Sequence, residues 1–90
     1  MKRFVIERTW PEPLEIPINE EGRSAVANVI SNNASEGVTW IHSYVSPDRL
    51  KTFCIYDGPS EEALRKAAAR NGAPVTNITE VTVLNPYFYA

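Results

Sequence analysis

Two strand-forming runs separated by a turn do most to limit what this chain can fold into. Val38-Thr39-Trp40-Ile41-His42-Ser43-Tyr44-Val45 and Lys51-Thr52-Phe53-Cys54-Ile55-Tyr56-Asp57 are dense in β-branched and aromatic residues. Between them, Ser46-Pro47-Asp48-Arg49 has turn chemistry, with proline presetting φ and aspartate able to bond the backbone beyond it. The two runs are expected to pair as an antiparallel hairpin.

The flanking segments fit around that hairpin. Arg3 to Thr9 reads as a strand that stops at Trp10-Pro11. Pro11, Pro13 and Pro17 then keep residues 11–18 extended, since proline removes a donor and blocks a helix. Asn19 caps a first helix, Glu20 and Glu21 suit its positive end, and Ala25, Val26, Val29 and Ile30 form one apolar stripe. That helix should fade near Asn32-Asn33. Ser60 caps a second helix with Glu61 and Glu62 in its first turn and Ala63, Leu64, Ala67 and Ala68 as its buried stripe; Gly72 stops it. Thr76 to Leu84 reads as a last strand. The aromatic tail Asn85-Pro86-Tyr87-Phe88-Tyr89 is expected to be covered rather than free.

The order is β-α-β-β-α-β. Right-handed crossovers turn that order into an α+β, ferredoxin-like sandwich, with a four-stranded antiparallel sheet and two helices on one face. Ninety residues allow a single domain over 1–90 with a thin core. The other sheet face is bare in a monomer, so a dimer or a ligand is expected there.

Composition narrows the function classes. Nine Lys+Arg against eleven Asp+Glu, a net charge of −2, argue against a nucleic-acid partner and against a polybasic membrane signal. Apolar runs fall well short of the roughly 18 residues of a membrane span, and the N-terminus lacks the apolar core of a signal peptide. A cytoplasmic location is expected. One cysteine excludes an intramolecular disulfide and a cysteine-only zinc site. No glycine-rich phosphate loop is present.

If Pro47-Asp48-Arg49 is a three-residue loop, Ser46 pairs with Leu50, His42 with Cys54, Ile41 with Ile55 and Trp40 with Tyr56. Alternation then places Ile41, Ser43, Val45, Phe53 and Ile55 on one face. Trp40, His42, Tyr44, Thr52, Cys54 and Tyr56 share the other. The aliphatic set suits packing against the alanine-rich helices. The second set holds three aromatics, the single histidine and the single cysteine, and is too apolar to lie bare as a large patch. The expectation is that it faces a second subunit, the aromatic tail or a ligand.

On that face a metal site can be centred on His42, whose neutral imidazole suits nickel, zinc and copper. Tyr44, Glu7 of the first strand and Cys54, as a thiolate, are the candidate co-ligands. Glu80, Asp48 and Asp57 are further carboxylates near the face or its turns. The competing reading makes His42 an ordinary strand histidine, Cys54 buried packing, and Trp40, Tyr44 and Tyr56 core or interface. Cys54 and His42 would resemble a catalytic dyad, but neither an orienting residue nor a nucleophile elbow accompanies them. No residue is assigned as catalytic.

The runs Trp40-Ile41-His42-Ser43-Tyr44 and Phe53-Cys54-Ile55-Tyr56 resemble the signature of a small bacterial family of ferredoxin-like domains of unknown function. That family includes a nickel-binding streptomycete protein. Phe4-Val5-Ile6-Glu7-Arg8-Thr9, Ile78-Thr79-Glu80-Val81 and the Pro-Tyr-Phe-Tyr tail are similar to it as well, so the likeness spans nearly the whole chain. It implies a homodimer and a nickel ion, with His42 as the position most able to bind it, and it implies no settled reaction.

Three readings follow. The first is a homodimeric metal-binding protein, for nickel or else zinc, using His42, Glu7, Tyr44 and Cys54. The second is a small-molecule binding module or cofactor-free enzyme of the dimeric α+β-barrel type, with a pocket lined by Trp40, Tyr44, Cys54 and Tyr56 and with His42 as base. The third is a structural dimer in which Trp40, Tyr56, Tyr87 and Phe88 simply form the interface.

Overall fold

A computed structural model, which describes residues 1–89, carries four strands and two helices in the expected order. The strands are β1 (Lys2–Thr9), β2 (Thr39–Val45), β3 (Lys51–Gly58) and β4 (Asn77–Val81), and the helices are α1 (Glu20–Ser35) and α2 (Glu61–Asn71). Every neighbouring strand pair is antiparallel, in the order β2-β3-β1-β4, which leaves β2 and β4 as edges. This is the ferredoxin-like α+β arrangement. Among the described residues no helix is long and apolar enough to cross a membrane.

The helix ends form where their capping residues stand. Asn19 Oδ1 accepts from the Gly22 amide at 3.0 Å, and Ser60 Oγ accepts from the Ala63 amide at 3.2 Å. Gly72 closes α2 in the left-handed region, with φ of 63°. Gly22 has a second role: a Cβ there would overlap the Pro17 carbonyl, so the proline-rich connection is pressed against the first turn of α1. The last strand is shorter than the sequence suggests. Val81 already pairs with Arg3, and β1 begins at Lys2, so the chain beyond Val81 runs out of partner strand. The tail forms a short 3-10 turn over Pro86–Tyr89 with Tyr87, Phe88 and Tyr89 exposed, so within the single chain it lacks the cover expected of it.

The core lies between the sheet and α2. Phe4 and Ile6 from β1, Cys54 and Tyr56 from β3, Ile78 from β4, and Val38 meet Leu64 and Ala67 of the helix. On β3 this is the reverse of the face expected from sequence: Thr52, Cys54 and Tyr56 are buried under the helices, while Phe53 and Ile55 turn outward. The pairing with β1 accounts for it. Phe4 stands opposite Tyr56 and Ile6 opposite Cys54, so the larger apolar set is gathered on one side.

Candidate functional site

The hairpin departs from simple alternation, and that departure builds the candidate site. The Ser46 amide donates to the Lys51 carbonyl at 3.0 Å, so the loop has four residues, Pro47 to Leu50, instead of three. Asp48 organises it, accepting from the Leu50 amide at 3.0 Å and from the Ser46 hydroxyl at 2.7 Å. These bonds hold the Asp48 carboxyl below its usual value, the Leu50 amide contributing most. The longer loop shifts the pairing by one residue: Val45 faces Thr52, Ser43 faces Cys54 and His42 faces Ile55. Trp40 nevertheless faces Tyr56, as expected, because a bulge between Trp40 and His42 takes up the extra residue.

The bulge sorts the side chains of β2 in a way that period two does not. Trp40, opposite Tyr56, packs against the core, whereas His42 and Tyr44, opposite Ile55 and Phe53, share the open face. Their rings meet edge to face, centroids 5.1 Å apart. The middle of that face is apolar, with Val5 opposite Ile55 and Phe53 between Glu7 and Tyr44. Charged pairs stand to either side. Arg3 Nε donates to Asp57 at 2.9 Å and its Nη2 at 3.2 Å, and Lys51 Nζ lies 3.9 Å from Glu7.

Of the candidate ligands, His42, Tyr44 and Glu7 are therefore on one face, but Cys54 is not. It is buried on the helix side, where its thiol approaches Thr52 Oγ1 at 3.6 Å, and it cannot share an ion with His42 of the same chain. Trp40 and Tyr56 are likewise on the helix side and are not part of the open face. Glu7 stands two strands from His42, with β3 between them. Glu80 is aligned with Phe4 and pairs with Lys2 at 3.8 Å at the sheet edge, away from His42. Among the described residues no three histidine, cysteine or carboxylate side chains converge as a metal cluster. One chain thus offers a metal ion an exposed imidazole and two carboxylates, Glu7 and Asp57, each already paired with a basic residue, and a full coordination shell would require donors from elsewhere.

The Arg3–Asp57 pair gives the open face an acid-dependent component. The Arg3 guanidinium holds the Asp57 carboxyl below its ordinary value through hydrogen bonding and charge. A carboxyl depressed in the folded state adds stability above its unfolded value and loses it as pH falls through the folded one. Comparing urea midpoints at about pH 5 and about pH 2.5, the parent is expected to lose more than Asp57→Asn. Equal losses would show that the pair contributes nothing.

Sequence reasoning missed Arg8. Only 3% of it is exposed, and it lines a partly open cavity together with Trp40, Cys54 and Tyr56. The signal was present, because Phe4, Ile6 and Arg8 alternate onto one face of β1.

Comparison with known proteins places this geometry in a family. Residues 4–81 match the family model described as nickel responsive protein SCO4226-like. The crystal structure of SCO4226 from Streptomyces coelicolor A3(2) is similar with a TM-score of 0.73 and 19% identity, over 92% of this chain and 99% of that one. At that identity the likeness speaks for the fold alone. A comparison with curated proteins finds no match.

Proposed function

The chain belongs to the SCO4226-like family of nickel responsive proteins, and on that premise we propose that it is a homodimer that binds nickel through His42. The observation that carries this reading is the place of His42: an exposed imidazole on an apolar sheet face that a second copy would cover. The dimer forms through the open faces, with Val5, Phe53, Ile55 and Tyr44 as its apolar centre and the exposed Tyr87 and Phe88 as added surface. Burial of those groups supplies the association energy that a bare apolar face in water lacks. A two-fold arrangement brings His42 of one copy towards a carboxylate of the other, and Glu7 and Asp57 are the carboxylates of that face. Water would supply the remaining ligands of a bound ion.

Native mass spectrometry of tag-free protein, before and after one equivalent of nickel, tests this. The parent is expected to run as a dimer that gains nickel, and His42→Ala as a dimer that gains at least tenfold less. A parent that takes up no nickel, or a His42→Ala protein that takes up as much, would overturn the site. Loss of uptake in Cys54→Ser would also count against it, since Cys54 lies on the other side of the sheet.

A further inference from the structure

The apolar stripe of α1 has little to pack on. Val26 and Val29 are only half-buried, and Ala25 and Ile30 are exposed. Between that stripe and the helix side of the sheet lies a cavity of about 440 Å³, within the range of small-molecule sites. Its far wall is Trp10, Trp40, Thr52 and Cys54, and the proline-rich connection closes one end at Leu14 and Ile16. That connection is pinned to the hairpin: the Trp10 amide donates to the Leu50 carbonyl at 2.8 Å, and the Leu14 amide to the Arg49 carbonyl at 2.9 Å. The Trp10 indole adds a bond to Thr52 Oγ1 at 3.0 Å.

The lining is mainly apolar; beside the exposed Glu15 and Arg49, it has a buried polar corner. Arg8, almost wholly buried, donates from Nη1 to the Pro74 carbonyl at 2.8 Å, and among the described residues no carboxylate pairs with it. Close by, the Asn33 Nδ2 group is buried without a well-formed hydrogen bond, while its Oδ1 accepts from Asn71, which also lines the cavity. Tyr56 completes the corner, and burial holds its phenol protonated, above the usual value. Tyr56 lies against both Arg8 and Asn33, but its neutral phenol leaves the buried guanidinium without a counter-charge among the described residues.

We propose that this cavity binds a small apolar monoanion, a carboxylate on a hydrocarbon or aromatic body, with the carboxylate held at Arg8 and the apolar body against α1. The body displaces water from Val26, Val29 and Trp40, and the charged head meets the Arg8 guanidinium. The site lies on the opposite side of the sheet from His42, so it stands or falls separately from the nickel reading.

Octanoate and 1-octanol are the probes, followed by two-dimensional amide NMR and by the fluorescence of Trp10 and Trp40, the chain's two tryptophans. Octanoate is expected to saturate, shifting Val26, Val29 and Trp40 but not His42 or Ile55, and to bind at least about tenfold tighter than the alcohol. Arg8→Met is expected to remove most of that preference. Val29→Trp, which fills the cavity and leaves Arg8 in place, is expected to abolish binding of both. Equal binding of octanoate and octanol to the parent, shifts centred on the open face, or unchanged binding to Val29→Trp would overturn the proposal. The last two comparisons decide it even where Arg8→Met does not fold.

Discussion

Phe53→Asp is expected to convert the proposed dimer to a monomer. Phe53 stands mid-row on the open face, between Glu7 on β1 and Tyr44 on β2, and is 36% exposed in the single chain. An aspartate there must lose its water when two such faces meet, and an unpaired buried carboxylate costs several kcal/mol. That weakens association by at least about a hundredfold. The fold itself should persist, because Phe53 points away from the Leu64 core. Sedimentation equilibrium with circular dichroism on the same sample reads both quantities. A parent that is monomeric, or a Phe53→Asp protein that stays dimeric with its fold intact, would show that the open face is not the interface. If nickel is shared between copies, its uptake should fall together with the dimer, although His42 is untouched.

The second large effect concerns stability. Leu64 is 1% exposed and is the long aliphatic side chain that α2 adds to the buried cluster of Phe4, Ile6, Cys54 and Tyr56, with its Cδ1 set over Gly58. Leu64→Ala removes that contact and leaves a void, at a cost of about 2–5 kcal/mol. A folded domain has only about 5–15 kcal/mol in total. For a chain of this size each kcal/mol moves the melting temperature by about 4–8 °C, so Leu64→Ala should melt at least about 8 °C lower. Ile30 on α1 is 56% exposed, and Ile30→Ala should change stability by no more than about 0.5 kcal/mol. Comparable losses from the two would refute the picture of a core gathered under α2, with a looser space under α1.

That asymmetry joins the two functional ideas. α2 sits on a packed wall and fixes the sheet, while α1 and the proline-rich connection stand off it and leave room. The open face is apolar at its centre and edged by ion pairs, which suits a second copy. The inner space is a partly open cleft with a buried charge at one corner, which suits a small molecule.

The element order, the helix caps at Asn19 and Ser60, the stop at Gly72 and the hairpin were legible in the sequence, because each depends on interactions within a few residues. Period two also showed that Thr52, Cys54 and Tyr56 share a face. It did not say which face meets the helices. Both sides of β1 and β3 are apolar near their centre, so hydrophobicity cannot choose between them, and the choice was made by the pairing of Phe4 with Tyr56 and Ile6 with Cys54. Nor did alternation foresee the four-residue loop and the bulge at Ile41, which separate His42 and Tyr44 from Trp40 and Cys54. Local chemistry acts through neighbours along the chain and so can be read from it. The assignment of a side chain to one side of a sheet depends on register, and a single residue added to a loop or a strand reverses every position beyond it.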